Sequence, residues 1–256
     1  MLKSSHSTGE ARIKPSPVCG EVMALPIFGG DRTALLCTLH HKLEEKSGGR
    51  PLLLFTPNAE MLAVARDNET VRQTLLFADL RIPDGIGVAW LSRGQIRDRI
   101  PGVEIGECLL HYAAHHHKTV YLLGGLPFRA DIAADRLRYR FAELKIVGTH
   151  HGYFEENSAE EEAVLREIAS LRPDLLFVCM GFPRQEQFLV HHCPSLTGVS
   201  IAAALGGAID CYAGAVPRAP RIVRQCHLEW LYRTLQDPRR IPRLLRTVKI
   251  LVRTSR

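Results

Sequence analysis

One carboxylate stands out by its setting. Asp84 falls between a proline and a glycine in "LRIPDGIGVAW", directly after a short apolar run. An acid in that place is either a solvated turn residue or a general base. Other residues able to do chemistry occupy similar places. Thr56 and Asn58 follow "LLLF", Gly124 and Gly125 follow "VYLL", Gly181, Gln185 and Glu186 follow "LLFVCM", and Gly206, Gly207 and Asp210 follow "AAAL". Ligands of open α/β sheets bind outside the carboxyl ends of the strands, so this recurrence suits a site assembled from several strand ends. Each residue also has a plainer reading: Asn58 as a helix cap, the glycine pairs as tight turns, and Gln185 with Glu186 as an ordinary first helical turn.

The elements that would position these residues are legible as alternation. "VMALPIF", "PLLLFT", "LRIP", "TVYLLGG", "KIVGTH", "DLLFVCMG" and "VSIAAALGG" read as strands, separated by helical patterns over 58–77, 104–117, 128–142 and 158–171. The expectation is an α/β fold, with a Rossmann-like open, mostly parallel sheet flanked by helices and a basic helical C-terminal appendage. With 256 residues, 46% of them hydrophobic, the chain can bury one substantial core. The boundaries expected are a Ser-, Pro- and Lys-rich leader over 1–20, the core over 21–216 and the appendage over 217–256. The first twenty residues lack the apolar centre of a signal peptide and no apolar run reaches the roughly 18 residues of a membrane span, which points to a cytosolic protein.

Charge is concentrated at one end. From Arg218 to Arg256 ten arginines and one lysine face only Glu229 and Asp237, a balance of +9 within a chain whose formal charge is +6. Such a segment seeks phosphate, on nucleic acid, anionic lipid or a diphosphate substrate. Leu244, Leu245, Val248, Leu251 and Val252 share one helical face, opposite Arg246, Lys249 and Arg253, which favours an anionic membrane surface. No aromatic stacking platform accompanies the basic stretch, against a nucleic-acid binder. "GGLPF" lacks the GxGxxG spacing, against a nucleotide-sugar epimerase or dehydrogenase with a nicotinamide cofactor. The seven cysteines never adopt a CxxC spacing, so most are expected to be reduced and buried. The pairs His150-His151 and His191-His192, and the i, i+4 pair His111 and His115, lack the pattern of a zinc-binding helix, and no metal is expected.

Taken in order, "TPNAEML", "RIPDGIGV", "RIPGVE", "VYLLGG", "IVGTHHGYF", "PDLLFVCMGFPRQE", "GGAID" with "YAG", "RAP" and "LEWLYRTLQDPRR" resemble the WecG/TagA/CpsF family of bacterial glycosyltransferases from about residue 22 onward. The resemblance implies transfer of a hexose or N-acetylhexosamine from a UDP-sugar to a sugar carried on polyprenyl diphosphate. It implies inversion at the anomeric carbon, on the inner face of the cell membrane, during cell-surface polysaccharide synthesis. It implies Asp84 as the base, Thr56, Asn58 and Gln185 in the substrate site, and Arg233, Arg240 and Arg243 on an appendage that closes over the site and holds the protein to the membrane. Glu104 stands where the family usually has Asp, Arg184 where it has Lys, and His227 where it has Gly. The assembly state, monomer or homo-oligomer, stays open.

An inverting transfer needs one carboxylate to take the acceptor proton while the diphosphate leaves from the opposite face; a retaining one needs a second carboxylate as nucleophile. Asp210 and Glu186 are the strand-end candidates for that second group and are assigned supporting roles. The sequence has no D-x-D motif, so the leaving diphosphate is expected to rest on the N–H groups of Gly124, Gly125, Gly181 and Gly207 and on arginine, without a metal or other cofactor. Glu104 is a candidate for reading a sugar hydroxyl.

Overall fold

The computed structural model describes residues 19–45, 48–96 and 99–216, with Pro220, Val223 and Tyr232 beyond them. Strands β1 (Cys19–Val22) and β2 (Leu25–Phe28) precede helix α1 (Arg32–Glu44). The sheet is then built from β3 (Leu52–Phe55), β4 (Leu80–Arg81), β5 (Thr119–Gly124), β6 (Lys145–His150), β7 (Leu175–Cys179) and β8 (Ile201–Ala204). Helices α2 (Ala59–Asp67), α3 (Glu69–Leu76), α4 (Ile86–Leu91), α5 (Gly102–His115), α6 (Arg129–Arg140), α7 (Ala159–Leu171), α8 (Arg184–His192) and α9 (Ala208–Tyr212) make the crossovers. The strand order is β4-β3-β8-β7-β5-β6 and every pair in this sheet is parallel. The α/β expectation therefore holds.

Parallel strands buried on both faces read as continuous apolar runs, and here the side-chain alternation sorts them into two cores. Leu52 and Leu54, Leu175 and Phe177, and Ile201 and Ala203 face the cluster formed with α1, α5, α6 and α9. Leu53 and Phe55, Leu176 and Val178, and Ala202 and Ala204 face the cluster formed with α2, α3, α7 and α8. The helix leaving β3 thus lies on one face, whereas the helix leaving β8 lies on the other. Such a divergence opens a crevice beyond the strand ends, at the boundary where ligands of this architecture bind.

Three local outcomes differ from expectation. "VMALPIF" is not one strand but part of the antiparallel β1–β2 hairpin, because Met23 and Ala24 both take positive φ (54° and 61°), as a tight two-residue hairpin turn demands. The helix expected over 58–77 is two helices, since the Asn68 side chain accepts from the Val71 N–H and starts α3 afresh. Helix α1 fills a connection for which no helical pattern was singled out; Asp31 caps it and Leu35, Leu39 and Leu43 are buried at successive i+4 positions.

The hairpin is fastened to the sheet by Arg81. Its Nε donates to the Pro26 carbonyl at 2.6 Å, and its Nη1 donates to the carbonyls of Leu75, Leu76 and Ala78 at the end of α3. Only 9% of this arginine is exposed. A buried guanidinium is tolerable because its donors meet carbonyls that the helix end leaves without intrahelical partners. Among the described residues no helix is long and apolar enough to cross a membrane. The appendage expected over 217–256, with Arg233, Arg240 and Arg243, lies outside the described residues apart from isolated positions.

Candidate active site

Three loops meet at the β4 end of the sheet. The ladder between β3 and β4 continues one step past the strands through Ile82 N–H to the Phe55 carbonyl (2.9 Å), and Asp84 N–H then donates to the Pro57 carbonyl (3.0 Å). Ile100 N–H donates to the Pro83 carbonyl (3.0 Å), drawing the "RIPG" segment onto the same corner. Asp84 is therefore held by its backbone beside Pro57 and Asn58, with a side chain that is neither buried nor fully exposed. Asn58 caps α2, its Oδ1 accepting from Met61 N–H at 3.0 Å. Thr56 is buried, and its Oγ1 donates to the Ala204 carbonyl at 3.0 Å, joining the ends of β3 and β8 across the crevice.

A second junction spans β7 and β8. Gln185, 2% exposed, turns its Oε1 to two backbone donors, Gly181 N–H at 3.3 Å and Gly206 N–H at 3.1 Å. Its Nε2 donates to Glu186 Oε1 at 2.8 Å. The acceptor on one side and the donor on the other leave only one orientation of the Gln185 amide that satisfies all three bonds. Glu186 is fully buried, and its Oε2 has no hydrogen-bond partner among the described residues. Burial pushes its carboxyl up to about 7, against the pull of the Gln185 bond.

The glycines divide into two kinds. Gly124 has φ +139°, and a Cβ there would lie 2.3 Å from the Cys179 carbonyl oxygen; at Gly125 one would meet Arg129 and Ile209. Gly124 is required by the close packing of β5 on β7, and Gly125 by the approach of α6 and α9 to the turn after it. At Gly181, Gly206 and Gly207 a Cβ would meet nothing within 4 Å. Their backbone borders open space at the carboxyl ends of β7 and β8.

Glu104 lies in the first turn of α5 and is paired with Arg32 of α1, in a groove of about 680 Å³ between those helices. Asp210, in the first turn of α9, is 3.4 Å from Arg129. Arg184 donates to the carbonyls of Gly152 and Phe154 and so clamps the loop after β6, a role invisible from its place before Gln185 in the sequence. His111 and His115 hydrogen-bond each other, Nε2 to Nε2, at 3.2 Å. The expectation of mostly buried thiols is corrected: of the free cysteines described, Cys179 and Cys193 are buried, Cys108 and Cys211 are half-buried and Cys37 is exposed, because the last three sit on outward or groove-facing helical positions.

Asp84, Thr56, Asn58, Gln185 and the glycine turns share the carboxyl edge of one parallel sheet, the ligand-binding edge of doubly wound α/β proteins. Comparison with known proteins gives that class a family. The model of the "Glycosyl transferase WecG/TagA/CpsF family" matches residues 21–256, and the chain belongs to that family. Relatives annotated in Staphylococcus aureus strains MW2, NCTC 8325 / PS 47 and COL carry the name N-acetylglucosaminyldiphosphoundecaprenol N-acetyl-beta-D-mannosaminyltransferase. Each is 33% identical to this chain over 196 residues, 75% of this chain and 75% of the relative.

Two outcomes follow from this geometry. Gly124→Ala is expected to destabilise by roughly 3 kcal/mol or more, from the forbidden φ and the carbonyl clash together. Gly207→Ala should leave the melting temperature within about a degree or two of wild type, since a surface substitution without a clash falls within about 0.5 kcal/mol. Thermal unfolding of both variants checks the contrast. Glu186 supplies the second. An acid whose folded pKa is raised binds its proton more tightly in the native state, so its contribution is full below the ordinary value near 4.5 and is lost as pH rises through about 7. Glu186→Gln, which cannot ionise, should therefore gain on wild type steadily across that window, by up to about 3 kcal/mol. Urea unfolding at a series of pH values reads the gain; a pH-independent difference would contradict the buried acid.

Proposed function

We propose that the chain is an inverting glycosyltransferase that moves a hexose or N-acetylhexosamine from a UDP-sugar to a sugar carried on polyprenyl diphosphate, in cell-surface polysaccharide synthesis. The observation that carries this reading is the placing of Asp84: a single carboxylate on a loop tied to "TPN", at the carboxyl edge of the sheet. A family of glycosyl transferases supplies the reaction class, and the name of the staphylococcal relatives supplies the acceptor class.

In this reading Asp84 takes the proton from the acceptor hydroxyl as the anomeric bond to UDP breaks on the opposite face. Asn58 spends its Oδ1 on the cap of α2, so its Nδ2 is the group offered to substrate. Gln185 acts from beneath, holding the Gly181 and Gly206 turns at the spacing a diphosphate would meet, with Gly207 beside them. The Gly124-Gly125 turn shapes the floor. Arg233, Arg240 and Arg243 complete the phosphate site from the appendage, and the arginine fork holds diphosphate oxygens without a D-x-D metal. Glu104 reads a sugar hydroxyl only if its pair with Arg32 opens.

The acceptor is lipid-borne, so the enzyme works at a membrane surface. The basic appendage supports that, at about 1 kcal/mol per basic residue near an anionic leaflet. Exposed apolar side chains support it as well: Trp90 on α4, beyond the Asp84 loop, and Phe128, 77% exposed, at the turn after β5.

The test is UDP release from a panel of UDP-sugars with polyprenyl-diphosphate-linked N-acetylglucosamine as acceptor. Wild type is expected to release UDP from one donor only when acceptor is present. Asp84→Asn should lose about 10²- to 10⁴-fold in kcat, the range of a general base, with an unchanged melting temperature. Turnover by Asp84→Asn at the wild-type rate would remove the base, and turnover that required added magnesium or manganese would remove the metal-independent mechanism.

A further inference from the structure

At the far edge of the sheet, β6 ends at His150, His151 follows it, and the first turn of α7 brings Glu160 back to them. His150 Nε2 lies 3.7 Å and His151 Nε2 3.4 Å from the same carboxylate oxygen, Glu160 Oε1. One ligand atom from each of the three residues falls within 4.8 Å of the others. A tetrahedral zinc ion with bonds of about 2.0–2.1 Å sets its ligand atoms about 3.3 Å apart. The two edges that meet at Glu160 are already close to that length.

The hydrogen bonds around the rings sharpen the point. His150 Nδ1 is 2.8 Å from the His151 carbonyl oxygen, an acceptor only, so Nδ1 carries the proton and a neutral ring turns its Nε2 lone pair toward the Glu160 carboxylate. Two electron-rich atoms 3.7 Å apart at a half-exposed corner suit a bridging cation or a water that donates to both. His151 Nδ1 accepts from the Tyr153 N–H at 3.3 Å, so in the ion-free ring Nε2 bears the proton. A metal at that nitrogen displaces the proton and gives up this long contact.

We propose that His150, His151 and Glu160 form a site for a divalent cation of the zinc class, with the fourth position open to water or an anionic oxygen. Two imidazoles and one carboxylate select zinc, cobalt or nickel over magnesium and calcium. The ion would be a brace and not a participant at Asp84. Strands β4 and β6 are the two edges of the sheet, five strand spacings or about 24 Å apart. What it braces is the segment between its ligands. Gly152 N–H donates to the Gly125 carbonyl at 3.0 Å, and Arg184 holds the carbonyls of Gly152 and Phe154. Metal uptake would tie β6 to α7 and fix this loop against the turn after β5. The inference rests on this corner alone and survives any outcome at Asp84.

The experiment uses the full chain stripped with chelator. Zinc is titrated calorimetrically, and cobalt is followed by visible absorption, whose intensity reports tetrahedral ligation. Wild type is expected to bind one zinc equivalent that is weakened at least 100-fold in both His151→Ala and Glu160→Gln, since even loss of an outer partner costs 10- to 100-fold. The cobalt band should vanish in the same two variants. A control with His111→Ala and His115→Ala should keep both signals. Glu160 is exposed, so Glu160→Gln should melt with wild type and separate ligand loss from misfolding. Wild type that binds no zinc would show that the three side chains form no metal site. Zinc bound equally by wild type and both variants would place the ion elsewhere. Either result overturns the site.

Discussion

Parallel strands packed between two layers of helices meet their backbone hydrogen-bonding needs chiefly through the ladder, and every connection between them must run over a helix-covered face. That constraint sends each chain reversal to an end of the sheet, and the reversals that follow a strand all fall at the same end. Thr56, Asp84, Gly125, Gly181 and Gly206 are distant in sequence yet aligned along one edge for this reason. The crevice exists because the helices after β3 and β8 depart to opposite faces. Chemistry at that edge is a property of the topology before it is a property of any one residue.

Holding such an edge open is costly, because strand ends that part from one another strand polar groups. The molecule answers with buried side-chain bonds that cross the gaps. Thr56 spans β3 to β8 by one hydroxyl, and Gln185 spans β7 to β8 by one amide whose orientation Glu186 fixes. A buried carboxyl with one oxygen bonded and the other without a partner among the described residues is destabilising. Its pKa near 7 is the physical response, since keeping the proton lowers the charge that burial penalises. The region proposed to bind substrate and the region that is electrostatically least comfortable are the same region.

Most of the sheet was legible in the chain as written. Apolar runs located β3 and β5 to β8 to within three residues at either end, and the polar residues after them marked the edge where the candidate site lies. What was not legible depended on partners remote in sequence or on side chains acting against type. Met23 and Ala24 carry no glycine or asparagine signal for a hairpin, yet take positive φ. Asn68 offered a cap inside what looked like one helix. Gln185 read as a helix start because Gly206, which it holds, is 21 residues away. Glu186 read as an ordinary helix-start acid, because an acid in the first turn favours the dipole. Gly124 and Gly207 looked alike in sequence, and only the Cys179 carbonyl beside the first separates a packing glycine from an open one.

The fastening of the hairpin by Arg81 reaches beyond the fold of one chain. An edge strand with unpaired backbone groups is a template for further strands, and proteins blunt such edges by shortening or covering them. Here the edge strand β4 has two residues, and the guanidinium of Arg81 draws the β2 backbone against it. The opposite edge, β6, joins its neighbour through a register shift between Val120 and Tyr121. A sheet finished in this way gives a second copy little ladder to extend. At the β4 edge, association between copies would then have to rely on helices and loops rather than on an extended ladder.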